Sequence, residues 1–217
     1  GLNYKNLGDY QSGKRYLEKS LEIKLKIFGK AHTSIGDSYV NLGILYENIG
    51  DLWKGIEYQT KALLIFLSIE NENKRKARLK AVYTNLGISY DKLGESDKAI
   101  EFFDKALTLS LELFGRKHLE TASAYNNLGT AYNNKKLFED AIKYHEQALT
   151  IRKEILGDQG FDLANSYQNL CISYRKQKIY DRAKSNLKES LSLNINSLGN
   201  SHPKVGINYR LFGEINT

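Results

Sequence analysis

The 217-residue sequence predicts an all-α fold in which antiparallel helix hairpins stack one on another. First, ten of the fifteen tyrosines fall on two positions of one repeating unit, and the other five stand near the start of the segment that follows. Second, the tyrosines that open the core of this unit are spaced by 44, 42, 42 and 42 residues. Third, apolar residues recur three and four positions apart, as one face of a helix requires, and proline occurs once. Such regularity is typical of a solenoid, whose units present the same side chains to their neighbours.

The first helix of each predicted hairpin carries the core of the repeat. The complete cores YVNLGILY, YTNLGISY, YNNLGTAY and YQNLCISY begin at Tyr39, Tyr83, Tyr125 and Tyr167. Shortened copies, GLNY and YRLFG, stand towards the two ends of the chain. We expect the links NIGD (48–51) and KLGE (92–95) to end two of these helices, because glycine readily terminates a helix.

The second helix begins with a block such as GIEYQTKALLI or AIKYHEQALTI, whose apolar residues again follow helical spacing. Two positions of this block hold only small residues, as expected where two helices approach closely. The first is occupied by Gly13, Gly55, Ala99, Ala141 and Ala183, and the second by Ser20, Ala62, Ala106, Ala148 and Ser190. In three repeats a connection of the form Leu/Phe-Gly-x-x-His leads to the next hairpin.

With its Leu-Gly pair, the tyrosine three residues later and the small residues of the second helix, the chain resembles the tetratricopeptide repeat. Its period of 42 residues and the connection FGKAHTSIG from Phe28 are similar to the subclass found in kinesin light chains and nephrocystin-type proteins. The resemblance implies a right-handed superhelical solenoid of about five repeats. It also implies a single array over residues 1–217, with repeat cores beginning near residues 36, 80, 122, 164 and 206 and partial repeats at both ends.

The chain carries a formal net charge of +7, and part of the excess is one local run of five cations. The run consists of Lys74, Arg75, Lys76, Arg78 and Lys80. We interpret it as a solvated connection that leads into a helix. The alternatives are nuclear import, nucleic-acid binding and an acidic protein partner. No aromatic residue interrupts the run, so the stacking surface of a single-strand binder is missing and nucleic acid is an unfavoured partner.

No stretch approaches the roughly 20 apolar residues that span a bilayer, so we expect no membrane partner. A single cysteine excludes an internal disulfide, which fits a cytoplasmic location. The chain contains no methionine, and it begins and ends within predicted helices. These features indicate a segment of a larger protein.

The residues that most often carry catalysis or bind metals point to structural roles. His32, His118 and His202 take the same place in different repeats, about 20 Å apart if hairpins stack at a helix diameter, whereas the ligands of one metal lie within about 2 Å of it. We expect them to cap or pack the following helix, His145 to be a core residue, and Cys171 to be a small apolar group in place of glycine. Phosphate loops, nucleophile elbows and zinc motifs are absent, so the sequence predicts no enzyme, no metal and no cofactor.

The residue before the Leu-Gly pair is asparagine in all four complete repeats: Asn41, Asn85, Asn127 and Asn169. Helix packing does not require asparagine, which is a mediocre helix former. Each amide offers a donor and an acceptor, so a row of them can pair with the main chain of an extended peptide. Similar asparagines hold bound peptides in the kinesin-light-chain repeats that this chain resembles. The alternative is that the amides bond to neighbouring repeats and stiffen the array.

Helical spacing places further side chains one turn from these amides. The expected apolar contacts are Ile44, Ile88 and Ile172. In the fourth repeat the lining is uncharged and consists of Ser123, Asn126, Thr130, Asn133 and Asn134. The fifth repeat contributes Gln168, Arg175 and Lys176, with Arg210 beyond them, whereas Asp37 and Glu47 make the opposite end acidic. We therefore expect a partner to place an acidic segment near the basic end.

These observations favour a non-catalytic protein-interaction module, a scaffold or adaptor that binds an extended peptide or helix of a partner in its concave groove. A structural or self-associating spacer is one alternative. A sensory or regulatory arm of an enzyme domain outside this chain is another. The identity of the partner and the oligomeric state stay open.

Overall fold

The computed structural model describes residues 10–158 and 160–216, and the regular secondary structure of these residues is entirely α-helical. The shortened repeat GLNY, with Tyr4, lies outside them. The helices are α1 (Tyr10–Phe28), α2 (Thr33–Ile49), α3 (Leu52–Leu67), α4 (Glu72–Lys92), α5 (Ser96–Phe114), α6 (Leu119–Asn134), α7 (Phe138–Leu156), α8 (Phe161–Lys176), α9 (Tyr180–Leu198) and α10 (Pro203–Asn216). Packing divides the chain into two compact units, residues 1–109 (unit 1) and 110–217 (unit 2). The boundary falls within α5.

In unit 1, each helix from α1 to α4 packs against the next, and α2 also reaches α4. Helices α2 and α3 are joined by a two-residue link and form the predicted hairpin. Apolar stripes of α1 and α2 close one core cluster around Leu42 and Leu45. A second cluster, around Phe66 and Leu86, lies between α3 and α4. The apolar spacing seen in the sequence is therefore the packing surface of the helices.

In unit 2, the hairpins α6–α7 and α8–α9 follow the same plan. Each helix from α6 to α10 packs against the next, and α6 also touches α8. Leu170, Leu187 and Leu211 come from three successive helices and share one buried cluster. The all-α fold of stacked hairpins is thus confirmed within each unit. None of the described helices combines the length and the apolar character needed to cross a membrane.

The turn inside each hairpin needs one residue with a left-handed backbone. Gly50 and Gly94 supply it with φ angles of 93° and 79°, as the NIGD and KLGE links predicted. In unit 2 the same place is held by Lys136 and Lys178, with φ angles of 66° and 65°. This backbone conformation is unfavourable for lysine because its Cβ atom crowds the backbone, whereas glycine has no Cβ atom. These two turns consequently carry exposed cations where the turns of unit 1 carry none.

The glycine of each Leu-Gly pair makes room for a side chain of the second helix, sixteen residues later. A Cβ atom at these glycines would stand 2.6 Å from that side chain. The pairs are Gly43 with Gln59, Gly87 with Phe103 and Gly129 with His145. In α8 the glycine is replaced by Cys171, which is fully buried, and the matching residue is Leu187 of the same cluster. The predicted role of Cys171 as a small core group is confirmed, as is the buried position of His145.

Tyrosines of a first helix pack on an aromatic ring of the following helix. Tyr39 and Tyr46 of α2 flank Tyr58 of α3, with ring centroids 5.9 and 5.4 Å apart. Equivalent triples are Tyr83 and Tyr90 around Phe102, and Tyr125 and Tyr132 around Tyr144. The regular tyrosine spacing is therefore a packing feature of the hairpin. Tyr180 and Tyr209 depart from it and are exposed.

Three histidines begin first helices and cap them. The Nδ1 atoms of His32, His118 and His202 accept hydrogen bonds from backbone N–H groups two residues later, at 3.2, 3.1 and 3.2 Å. The rings of His32 and His118 also stack on Phe28 and Phe114, with centroids 4.5 and 4.6 Å apart. These bonds satisfy N–H groups that a helix leaves without partners. The predicted capping role is confirmed.

Candidate peptide-binding surface

The four asparagines of the repeat core lie on first helices, Asn41 and Asn85 in unit 1, and Asn127 and Asn169 in unit 2. Each is partly buried. The side chains of Asn41, Asn85 and Asn127 make no hydrogen bond within the described part of the chain. Their amide atoms do not belong to the buried unpaired polar groups found there. Three amides thus have free donors and acceptors that reach the surface.

Asn169 differs from the other three asparagines. Its Nδ2 donates to Oδ1 of Asn126 at 2.7 Å, which ties α8 to α6. This bond is the stiffening role that the sequence left as an alternative, and it holds for one of the four. Asn169 keeps one N–H donor and its carbonyl oxygen for other partners. Asn126 keeps the N–H donors of its amide and one lone pair of its carbonyl oxygen.

Further candidate residues of unit 2 surround this pair. Thr130, Gln168 and Ile172 are partly buried. Thr130 Oγ1 donates to the carbonyl of Asn126 at 3.1 Å, a bond within its own helix. Asn134 and Lys176 are exposed and line one cavity of about 290 Å³ together with Asn133, Lys136 and Phe138. Four of the five lining residues are asparagine or lysine.

The structure corrects the expected role of Asn133, which the sequence analysis placed among the residues that line the binding surface of the fourth repeat. It is only 5% exposed, and its Nδ2 donates to Ser173 Oγ of α8 at 2.7 Å. Its Nδ2 also lies 3.5 Å from Nε2 of His145. The side chain therefore joins three helices inside unit 2, and it does not present its amide to a partner.

The basic end of unit 2 contains a carboxylate that the sequence analysis overlooked. Nη1 of Arg175 donates to Glu214 of α10. Nε of Arg210 lies 3.7 Å from the other oxygen of the same carboxylate. Two of the three expected cations are thus already in contact with an acidic group. The sequence gives no sign of this contact, because Glu214 and Arg175 are 39 residues apart and only the folding of unit 2 brings them together.

In unit 1 the candidate residues Ile44 and Ile88 are partly buried on α2 and α4. The acidic residues nearby are paired between these helices. Asp37 accepts two bonds from Arg78, at 3.1 and 3.3 Å, and Glu47 accepts one from Lys92 at 2.7 Å. The acidic end predicted from formal charges is therefore largely neutralised within unit 1.

The run of cations at residues 74–80 lies in the first turns of α4. Arg75 Nη1 donates to the carbonyl of Ile69 at 3.0 Å, and Lys76 pairs with Glu72 at 2.6 Å. With Arg78 bound to Asp37, at least three of the five cations have partners in the same unit. The whole run thus lies inside a helix, at its start, and the solvated connection expected from the sequence is wrong for these residues.

The strongly shifted titratable groups of unit 2 are buried. Burial, with a smaller contribution from Arg152, lowers the pKa of His145 to about 4, and burial raises the pKa of Cys171 to about 11. Cys171 is therefore a neutral thiol with no activation as a nucleophile. Arg152 is itself buried, and it donates to Ser166 Oγ at 2.6 Å. Within the described residues, no group of acidic, histidine or cysteine side chains is arranged to hold a metal.

Comparison with known proteins identifies the family of these repeats. The model of the tetratricopeptide repeat matches residues 1–68, 79–154 and 121–194. The structure of BtubC (BKLC) from P. vanneervenii is 24% identical, over 95% of this chain and 81% of that one, with a TM-score of 0.77. A putative kinesin light chain from Podosopora anserina with nearly identical TPR-like repeats is 19% identical, over 90% and 92%, with a TM-score of 0.77. None of the curated proteins compared with the chain matches significantly.

At these identities the solved structures show the fold, and the family match carries the assignment. It extends over most of the chain, and the helix hairpins, the small residues at close contacts and the Leu-Gly cores agree with it. The solved structures include kinesin-light-chain-like repeats, as the Leu/Phe-Gly-x-x-His connection indicated. This chain belongs to the tetratricopeptide repeat family.

Proposed function

We propose that this chain is a non-catalytic protein-interaction module that holds an extended segment of a partner against its first helices. One observation carries the proposal: the amides of Asn41, Asn85 and Asn127 reach the surface without an internal partner. Helix packing does not use these amides, and asparagine weakens the helix that carries it. An amide that accepts and donates at once is suited to the main chain of a partner, whatever its sequence.

In unit 2 the proposed contacts extend from amides to cations. Asn126, Asn127 and Gln168 offer hydrogen bonds, and Ile172 offers a partly buried apolar surface. Lys176 is exposed at the end of the same helix. We infer that the partner segment is extended and has an acidic portion near Arg175, Lys176 and Arg210. The single cysteine is a buried neutral thiol, which fits a cytoplasmic scaffold or adaptor.

The proposal is tested by selecting binding peptides from a random display library with the full chain and measuring their affinity for two variants. Asn127→Ala should weaken binding about fivefold or more, at roughly 1 kcal/mol per lost hydrogen bond. Asn196→Ala is the matched control, because Asn196 is an exposed amide on the second helix α9. It should leave the affinity unchanged. Equal affinities of Asn127→Ala and the wild type, with the same helicity, would refute the amide mechanism.

A self-associating spacer is the second candidate, and one feature of α3 favours it. Trp53, Leu64 and Leu67 are 62%, 66% and 51% exposed on that helix. The matching positions of α7 hold Glu139, Thr150 and Lys153. Sedimentation velocity of the wild type and of Leu64→Thr at several concentrations separates the two functions. A dimer that Leu64→Thr abolishes would support self-association, and a concentration-independent monomer would exclude it.

A further inference from the structure

The turns inside the two hairpins of unit 2 are built differently from those of unit 1. Lys136 and Lys178 hold the left-handed position that glycine holds in unit 1. The next residues, Leu137 and Ile179, precede α7 and α9, and within the described ranges neither side chain caps its helix. In unit 1 the same place before α3 holds Asp51, which accepts a hydrogen bond from a backbone N–H three residues later at 3.1 Å.

Both features of the unit 2 turns are unfavourable for folding. A lysine with a left-handed backbone and a helix start without a side-chain acceptor each lower stability. The fold requires neither of them, since the hairpin α2–α3 forms with Gly50 and a cap from Asp51. The same unfavourable pair of residues nevertheless occurs in two successive hairpins. Strained residues of this kind persist where the surface has a function, so we looked for one at these turns.

The two turns expose apolar side chains next to cations. Leu137 and Ile179 are 41% and 38% exposed, and Tyr180, which begins α9, is 46% exposed. Lys136 and Lys178 are exposed too, and neither side chain forms an ion pair or a hydrogen bond with the described residues. We call residues 136–138 and 178–180 the turn edge of unit 2. It offers two available cations, each followed directly by an apolar residue.

A cavity lies where the first of these turns meets the end of α8. Its volume of about 250 Å³ is below the roughly 300–1,000 Å³ of small-molecule sites, so it suits a single side chain of a partner. The two acidic residues of its lining are already engaged, Glu139 with Gln177 at 3.4 Å and Asp140 with Lys143 at 3.2 Å. The charge that the turn edge can offer to a partner is therefore positive. The lining consists of Lys136, Leu137, Phe138, Glu139, Asp140 and Gln177.

We propose that the turn edge of unit 2 docks an extended acidic segment of a protein whose apolar residues stand three positions apart. This surface is separate from the amides of the first helices and goes beyond the function proposed for them. Stacked hairpins are about 10 Å apart, and an extended chain advances about 3.3 Å per residue. Two apolar side chains three residues apart therefore reach both turns, while the acids beside them meet Lys136 and Lys178. A lipid surface fits the turn edge less well, because it is flat and leaves the cavity empty.

A labelled peptide of the sequence Glu-Leu-Glu-Glu-Leu-Glu tests the proposal by fluorescence anisotropy with the full chain. Exchange of both its leucines for serine should weaken binding about tenfold or more. The variant Lys136→Gly, Lys178→Gly copies the turns of unit 1 and should bind the original peptide about fivefold more weakly. Its melting temperature should rise by about 3 °C or more, because glycine tolerates the left-handed backbone. The loss of affinity then has no origin in unfolding.

Two control variants locate the binding. Lys184→Gln, Lys188→Gln removes the same charge from within α9, away from its start, and should bind the peptide as the wild type does. Asn127→Ala should also bind it unchanged, because the amides of the first helices take no part. This result keeps a failure of the turn edge distinct from a failure of the proposed function.

Three results would overturn the proposal. The first is an affinity of Lys136→Gly, Lys178→Gly equal to that of the wild type, and the second is the absence of saturable peptide binding below about 1 mM. The third is sedimentation of the wild type with phosphatidylserine vesicles, lost in the same variant, in the absence of peptide binding. That result would assign the turn edge to a membrane surface.

Discussion

Lowering the pH from 7 to 5 should destabilise unit 2 through His145. This ring is 1% exposed, lies against Gly129, and has a buried Nδ1 without a partner, while its Nε2 is 3.5 Å from the amide of Asn133. Burial lowers the pKa of His145 from 6.5 to about 4. The folded chain therefore keeps the ring neutral at pH 5, whereas the unfolded chain protonates it.

The sign and the size follow from this difference in proton binding. A histidine whose pKa is lower in the folded state favours unfolding as the pH falls below 6.5, and the loss is complete near pH 4. At 1.36 kcal/mol per pKa unit, the full loss is about 3 kcal/mol. Between pH 7 and pH 5 the free energy of unfolding should fall by about 2 kcal/mol from this residue alone.

Urea unfolding followed by circular dichroism at both pH values measures the loss, and His145→Gln is the matched control. Glutamine already occupies the equivalent place, as Gln59 against Gly43, and does not titrate. The variant should lose about 2 kcal/mol less than the wild type over this range, since all other groups contribute equally to both. An equal loss in the two proteins, or an NMR titration of His145 near pH 6.5, would refute the reasoning.

Two further predictions concern the packing of the hairpin α6–α7 and its cap. Gly129→Cys alone should destabilise the protein by about 2 kcal/mol, because a Cβ atom there stands 2.6 Å from His145. The double variant Gly129→Cys, His145→Leu copies the pair Cys171 and Leu187 of the next hairpin. It should recover most of this loss of stability in urea unfolding. A double variant no more stable than Gly129→Cys would contradict the pairing. His118→Ala should lower the free energy of unfolding by about 1 kcal/mol, because the Glu120 N–H loses its acceptor. His118→Asn, which keeps a capping acceptor, should retain the wild-type midpoint, and equal midpoints for both variants would argue against the cap.

Periodicity predicted those features of the fold that depend on a repeated position. The small residues Ala99, Ala141 and Ala183 are fully buried, and Gly50 and Gly94 end helices, because each requirement recurs in every hairpin. Asn133 was misplaced for the opposite reason. Its position in the helix lies between the surface and the neighbouring helices. The buried partner of Asn133, Ser173, is 40 residues away in the sequence. A single helix pattern contains no information about that contact.

The sequence also failed to predict the charge that the first helices present at each end of the row. Formal charges along the first helices predicted an acidic end and a basic end, but Asp37, Glu47 and Glu214 each meet a cation of the next or preceding first helix. These partners lie about one repeat away in the chain, so only the stacking of hairpins brings them together. The electrostatics of a repeat surface are therefore decided by pairs one period apart, and a residue-by-residue sum misses them.

The same reasoning explains why one asparagine of the row is bound internally while others are free. Asn169 has its acceptor in Asn126, the residue that follows the core tyrosine in the preceding repeat. For Asn85 the equivalent residue of the preceding repeat is Val40, which has no side-chain acceptor or donor. Asn126 and Val40 thus account for the different hydrogen bonding of Asn169 and Asn85. The two repeats that contain Val40 and Asn126 share the Leu-Gly pair and the core tyrosines, so this difference lies outside the core.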